Sequence, residues 1–303
     1  MEVKIYIKKT KIMKNSIEDI FKFPESPSYN IAEIGINHNG DLQLAKKLIK
    51  VSFDNGFNAV KFQKRVPELC VPDHKRNEIR ITPWGKMTYF DYKKKIEFNE
   101  EDYKEIDLYC KEIGIDWSAS AWDLESINFL KKFNLPFFKV PSDKNTDLDF
   151  IKALQNIDCP IILSTGGTNL DQVKTILDIL KDNKVAILQC TSIYPCPTDK
   201  VNLRVIDSLK SQFSIPVGFS SHHTSPSITA MSVAYGARIT EVHVTLDRAM
   251  WGTDQAMSLE PRGGQILIST IRDFELALGS PIKEVLIDEQ KTLSRTVGRK
   301  KIN

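Results

Sequence analysis

Short runs of β-branched and apolar residues recur along the chain. Between them lie stretches in which apolar positions fall three and four apart. The short runs predict strands at Tyr29–Ile36, Ala59–Gln63, Ile115–Ser120, Phe137–Ser142, Ile161–Thr165, Ala186–Cys190, Val217–Ser221 and Ile239–Thr245. The spaced pattern of Leu42, Ala45, Leu48, Ile49 and Phe53, closed by Asn55-Gly56, predicts a helix. The same spacing predicts helices over Tyr103–Glu112, Leu124–Phe133, Leu170–Leu180, Leu203–Phe213, Ile228–Tyr235 and Gln265–Leu278, the last stopped by Gly279-Ser280-Pro281. Runs such as Ile161-Ile162-Leu163 and Ala186-Ile187-Leu188 are apolar without alternation, as parallel strands covered on both faces are. Eight strands, each followed by a helix, predict an α/β fold: a single-domain (β/α)8 TIM barrel. An open doubly wound sheet would usually open on a G-x-G-x-x-G turn, and Gly35-Ile36-Asn37-His38-Asn39-Gly40 does not match it.

Two connections exceed simple loops: residues 65–97 after the second strand and 246–261 after the eighth. Both follow strands, so both belong to the C-terminal face, where barrel active sites form. The first contains Trp84-Gly85-Lys86-Met87-Thr88-Tyr89 and is expected to cover a substrate. The domain plan is then a hairpin or plug over 1–28, where Val3, Ile5 and Ile7 alternate, a catalytic barrel over 29–282, and a basic tail over 283–303.

Composition narrows the classes of partner. A net charge of +3 on 303 residues gives no general affinity for nucleic acid or a membrane surface. No apolar run approaches the roughly 18–20 residues of a membrane helix, and the N-terminus lacks a signal-peptide pattern. Five cysteines with no C-x-x-C pair argue against a disulfide framework and fit a cytoplasmic location.

The polar residues at the strand ends supply the candidate chemistry. They are Glu33 and Asn37, Lys61 and Gln63, Ser118 and Ser120, Lys139 and Ser142, Ser164 and Thr165, then Gln189, Thr191, Ser192 and Tyr194, then Ser220, Ser221 and His222, and last Glu241 and His243. A lone serine or glutamine at such a place is usually a cap or a hydrogen-bonded layer residue. Lys61 and Lys139 differ, because each lies inside a strand between apolar neighbours, and burying an unpaired ammonium costs several kcal/mol. Two lysines converging on a barrel mouth beside hydroxyls predict a bound dianion, with phosphate the natural candidate. His222 and His243 end adjacent strands and can share a divalent metal, with Asp254 orienting a ligand or water; His223 is expected to point away. Such a metal keeps open positions and can polarise a carbonyl.

These segments resemble the sialic acid (N-acetylneuraminate) synthase family. The resemblance rests on Ala32-Glu33-Ile34-Gly35-Ile36-Asn37-His38-Asn39-Gly40-Asp41, Ala59-Val60-Lys61-Phe62-Gln63, Phe138-Lys139-Val140-Pro141-Ser142, Leu163-Ser164-Thr165-Gly166, Gln189 to Pro195, Val217 to His222, Glu241 to Asp247 and Ser258-Leu259-Glu260-Pro261. It covers roughly residues 30–282, in order. It implies a barrel enzyme that condenses phosphoenolpyruvate with N-acetylmannosamine or its 6-phosphate and releases phosphate. It further implies His222 and His243 as ligands of Mn2+ or Mg2+. Lys61, Lys139, Ser142, Ser192 and Ser220 would hold phosphoenolpyruvate. Glu33, Gln63, Tyr194 and Asp254 would position sugar, metal and water, with Ser120 also on the substrate side and Glu33 a candidate acid or base.

Two departures from that family stand out. Many members carry an acidic residue shortly after the strand-four Lys-x-x-Ser; here the stretch reads Asp143-Lys144-Asn145, so either Asp143 substitutes in a shifted register or Lys144 changes what binds. The chain also ends at Asn303, short of the antifreeze-like domain that lends a partner arginine in typical members, so Arg299 or a loop residue would have to compensate. Whether the chain forms a homodimer is left open. Alternative readings are a diacetamido-hexose acceptor, giving legionaminic- or pseudaminic-type acids, and a ligand-binding barrel without turnover. A metal-dependent hydrolase is disfavoured because Ile36-Asn37-His38 lacks an H-x-H pair.

Overall fold

The computed structural model describes residues 15–293. Eight parallel strands close into a barrel: β1 (Tyr29–Gly35), β2 (Ala59–Lys64), β3 (Asp116–Ala121), β4 (Phe138–Val140), β5 (Ile161–Ser164), β6 (Val185–Cys190), β7 (Val217–Ser221) and β8 (Ile239–His243). Each strand pairs with its neighbours in sequence, and β1 closes on β8 in the register Tyr29↔Ile239 to Glu33↔His243. The predicted strands all form; β4 is trimmed at both ends, and β8 stops at His243, leaving Val244 in an isolated bridge to Leu259.

The strand period of two arranges the site. At the bottom, Tyr29, Ile31, Ala59, Phe137, Ile162, Ala186, Leu188 and Ile239 form one apolar cluster inside the barrel. Two residues further along the same inward rows, the side chains turn polar: Ile31 gives way to Glu33, Ala59 to Lys61, Phe137 to Lys139, Ile162 to Ser164 and Ile239 to Glu241. The dry lower layer thus floors a charged upper layer. The alternate positions face outward, where Ile34, Val60, Val140, Leu163 and Ile187 are fully buried beneath the helices. That two-sided burial is why these strands show no polar alternation.

The bottom is sealed by a helix, Ile17–Lys22, whose Ile17 and Ile20 join the inner cluster. Over residues 15–28 this helix stands where a hairpin was one expectation; Ser16 and Asp19 form a capping box that starts it. Val3, Ile5 and Ile7 lie outside the described residues, as does Arg299. The final barrel helix, Pro261–Leu278, begins four residues before the apolar spacing suggested. Its Gly263-Gly264 reads as a break, yet a Cβ at Gly264 would lie 2.7 Å from Asn55 Nδ2 and 3.2 Å from Phe57, so glycine is what lets the helix approach.

The connection after β2 is ordered: two single-turn helices, an antiparallel hairpin pairing Ile79–Thr82 with Gly85–Thr88, and a helix Tyr89–Ile96. It meets the connection after β8 through aromatic rings. Trp84 and Tyr92 each contact Trp251 edge-on, at centroid distances of 5.8 and 5.0 Å. Within residues 283–293, Ile287–Leu293 forms an exposed helix.

Candidate active site

The upper layer holds two ammonium groups and two carboxylates inside the barrel. Lys61 Nζ lies 2.6 Å from Glu33 Oε2 and donates to Ser120 Oγ at 2.6 Å. Lys139 Nζ donates to Ser164 Oγ at 2.7 Å and to the Val140 carbonyl at 3.0 Å. Glu241 sits between them, 3.8 Å from Lys139 and 3.9 Å from Lys61, and accepts from Ser220 Oγ at 3.1 Å. Lys61 and Lys139 are 3% and 1% exposed, so their charges are almost wholly taken from water.

That desolvation sets the proton affinities. Burial raises the Glu33 carboxyl to about 7, with the Glu241 charge adding to it, while Lys61 and the Gln63 amide oppose the rise. Burial would also raise Glu241, but Lys139, Lys61 and His243 outweigh it and hold this carboxyl below its ordinary value. Burial lowers the Lys139 ammonium. One carboxylate is therefore kept ionised while its neighbour can exchange a proton near neutrality.

A narrow inner well of about 50 Å³ brings together Glu33, Lys61, Gln63, Ser120, Lys139, Ser142, Tyr194, Ser220, His222 and His243. A wider cleft of about 390 Å³ adjoins it and includes Asp254. Gln63, Trp122, Asp143, Tyr194 and His243 line both, marking the junction. Ser192 is outside the well's lining, on the exposed loop after β6. It nevertheless flanks the same corner as Ser142: a Cβ at Gly166 would collide with Ser192 Oγ and lie 2.6 Å from Ser142 Oγ. Only glycine leaves both hydroxyls room to turn toward one ligand.

At the mouth the two histidine rings are 5.6 Å apart. His222 Nδ1 bonds the Thr191 carbonyl at 2.9 Å, which fixes that nitrogen as a donor. Burial would lower the His222 imidazole, but contacts with Cys190 and Thr191 outweigh it and raise the imidazole above its ordinary value. His243 is lowered to about 4, chiefly by burial, so it is neutral at physiological pH. Its Nδ1 is buried without a hydrogen-bond partner, 3.8 Å from Asp254 Oδ2. Two imidazoles side by side, one of them neutral with an orphaned nitrogen, are donors of the type a divalent cation takes. Among the described residues no cluster of three His, Cys, Asp or Glu has metal-binding geometry, so other coordination positions would fall to water or substrate. His223 is a structural residue, bonded to Thr198 Oγ1 at 2.9 Å and to the Ser225 amide at 3.0 Å. His38 is likewise internal, stacked on Phe98 at 4.0 Å. In the stretch that departs from the family pattern, Asp143 faces the site and Lys144 turns to Asp147 at 3.3 Å.

The sequence reading named Glu241 and Ser164 among the polar strand ends without assigning them a task, and gave no role to Cys190, Trp122, Arg65 or Lys93; all six line the two cavities. Glu241 and Ser164 carried a usable signal, being polar at inward strand ends. Arg65, Lys93 and Trp122 carried none, because they lie just past strand ends or on the long loop.

A closed parallel barrel whose C-terminal mouth gathers two buried lysines, two carboxylates and several hydroxyls places the chain among the barrel proteins that carry their polar site at that face. Within that class the chain belongs to the NeuB family, whose model matches residues 48–283. It is 38% identical to the N-acetylneuraminate-9-phosphate synthase of Homo sapiens over 268 residues, 86% of this chain and 74% of the relative. It is 36% identical to the N,N'-diacetyllegionaminic acid synthase of Campylobacter jejuni over 272 residues, 87% of this chain and 81% of the relative. Its fold matches the crystal structure of an N-acetylneuraminic acid synthetase from Leptospira borgpetersenii in complex with citrate, with a TM-score of 0.79 and 28% identity, covering 89% and 91% of the two chains. The family is thus that of the sialic, legionaminic and pseudaminic acid synthases.

Proposed function

We propose that the chain condenses phosphoenolpyruvate with an N-acyl amino-hexose, N-acetylmannosamine or a close relative, and releases phosphate. The observation that carries this reading is the convergence of Lys61 and Lys139 on one small well bordered by Ser142 and Ser220, with two imidazoles at its rim. In the reaction, carbon 3 of phosphoenolpyruvate bonds to the aldehyde carbon of the open-chain sugar. Water adds to carbon 2, and phosphate departs with cleavage of its C–O bond.

The two lysines and the hydroxyls of Ser142, Ser192 and Ser220 would hold the phosphate and carboxylate of phosphoenolpyruvate. Ser120 and Glu33 hold the Lys61 ammonium in place, so Lys61 is preorganised rather than mobile. With its carboxyl near 7, Glu33 is suited to take the proton of the attacking water or return one to the sugar oxygen. Gln63 donates to Glu33 Oε1 at 3.0 Å, which orients that carboxyl, and Tyr194 covers His222 at a ring distance of 4.0 Å. Asp254 would orient the sugar or a water beside His243. His222 and His243 would hold Mn2+ or Mg2+, which when bound supplies Lewis-acid polarisation of the aldehyde.

Phosphate release from phosphoenolpyruvate, followed with Mn2+ across N-acetylmannosamine, its 6-phosphate and diacetamido-hexoses, tests the proposal. Release that depends on one sugar and is blocked by EDTA is the expected result. Binding of phosphoenolpyruvate without release for any sugar would instead indicate a ligand-binding barrel.

A further inference from the structure

Asp254 hangs between two anchors of different kinds. Downstream, the chain is tied to the barrel itself. Ser258 Oγ donates to the Asp254 carbonyl at 2.6 Å. The buried Gln255 amide donates to the Asn37 carbonyl at 3.1 Å and accepts from Thr245 Oγ1. Upstream, only Gly252 and Thr253 separate Asp254 from Trp251. Asn39 Nδ2 holds the Trp251 carbonyl at 2.8 Å, while the Trp251 indole packs on the connection after β2. The Asp254 carboxylate accepts from the adjacent Thr253 Oγ1 at 2.7 Å, so its place follows the backbone path between the two anchors.

The upstream anchor joins two segments that both shape the outer cleft. Tyr89 and Lys93, on the helix Tyr89–Ile96, line that cleft, as do Thr253 and Asp254 of the connection after β8. Trp84, Tyr92 and Trp251 are outside its lining. They meet instead in a small apolar cluster with Ile36, Ile96 and Met87. Tyr92 is 2% exposed and stands edge-on to the indole at 5.0 Å, and Trp84 reaches the same indole from the hairpin at 5.8 Å. Edge-on ring pairs favour a defined separation, so these contacts fix a spacing as well as adding cohesion.

We propose that Trp251 is a positioning residue: its indole joins the two segments and sets where Asp254 stands relative to the helix Tyr89–Ile96, which tunes the fit of the acceptor sugar without touching it. This rests on the condensation reading above. The inner well is independent of the contact, because Lys61 and Lys139 are held by Glu33, Ser120 and Ser164 on the barrel strands. Loss of the indole should therefore weaken use of the acceptor and spare phosphoenolpyruvate.

A double-mutant cycle on Trp251 and Tyr92 tests this. Trp251→Leu is expected to raise the acceptor KM about tenfold or more, in line with the worth of two edge-on ring contacts. Trp251→Phe is expected to recover most of that loss, and the Kd for phosphoenolpyruvate in calorimetry to stay within about twofold in both. Tyr92→Leu is expected to raise the acceptor KM as well, with the double variant no worse than the more impaired single, since both remove one contact. Trp84→Leu, at a 40% exposed position, removes the second contact and serves if Trp251→Leu does not fold; a several-fold rise is expected. Additive losses would overturn the proposal, as would phosphoenolpyruvate affinity falling in step with that of the acceptor. Hydrogen exchange reads the same contact without turnover. Trp251→Leu is expected to speed exchange across residues 89–96 and 251–255 together, and faster exchange confined to the connection after β8 would overturn the coupling. If the wild type releases no phosphate with any acceptor, the condensation reading fails while hydrogen exchange still decides whether Trp251 joins the two segments.

Discussion

Replacing Glu33 by glutamine isolates the effect of burying a carboxyl beside Lys61. The side chain is 2% exposed, and its proton affinity rises from an ordinary 4.5 to about 7, first through burial. A raised carboxyl binds its proton more tightly in the folded state than in the unfolded chain. Its contribution to stability is therefore fully present below about 4.5 and is lost as pH climbs through about 7. A shift of about 2.5 units at 1.36 kcal/mol per unit gives a total swing of roughly 3 kcal/mol, of which about 2–3 kcal/mol falls between pH 5 and 8. Glutamine is nearly isosteric and does not titrate. Urea unfolding of both proteins at intervals from pH 5 to 8 should show Glu33→Gln gaining about 2–3 kcal/mol on the wild type across that range. Because the two proteins share every other titrating group, the difference between the curves isolates Glu33 and its coupling to Lys61 and Glu241. The Lys61 ion pair forms only as Glu33 ionises, so it is already contained in the shift and hence in the slope, and only pH-independent packing differences set the offset. Parallel curves, with the difference constant to about 0.5 kcal/mol, would refute the claim that burial holds this proton near neutrality. The same variant should lose about 10²–10⁴ in kcat if Glu33 moves a proton in the reaction.

Lys139→Met should raise the Kd for phosphoenolpyruvate at least about a hundredfold in calorimetry, in line with 2–5 kcal/mol for losing one partner of a buried charge pair; unchanged affinity would remove Lys139 from the anion site. Gly166→Ala should raise the KM for phosphoenolpyruvate about tenfold, because the added methyl displaces the hydroxyls of Ser142 and Ser192, and an unaltered KM would show that this corner holds no substrate. His243→Ala should abolish Mn2+ binding seen by electron paramagnetic resonance and remove turnover while the barrel stays folded, whereas retention of tight Mn2+ binding would sink the metal assignment. Ile20→Ala, at the opposite end, should cost about 2–5 kcal/mol in chemical unfolding with kinetics unchanged, and a cost near zero would mean that the Ile17–Lys22 helix does not seal the barrel.

By itself the sequence determined the barrel, because strands buried on both faces lose polar alternation and leave a periodic record: Ile161-Ile162-Leu163 is apolar throughout and buried throughout. It also placed Lys61, Lys139, His222 and His243 at one mouth, since a parallel barrel brings every strand's C-terminal end to the same face. Tertiary structure alone decided the pairing among these charges. Glu33 meets Lys61 across one strand neighbour, while Glu241 reaches Lys61 and Lys139 across the barrel interior, and the proton affinities follow from those distances and the loss of water. The lower helix escaped notice because six residues between irregular segments leave too short a pattern to declare a period. Lys93 was illegible for a stronger reason. It stands in a run of three lysines on an amphipathic helix, and only packing against Tyr89, Tyr92 and the cleft separates the buried one from its exposed neighbours. Local spacing encodes which face a side chain leaves from; desolvation and the choice of partner are set by segments distant in sequence.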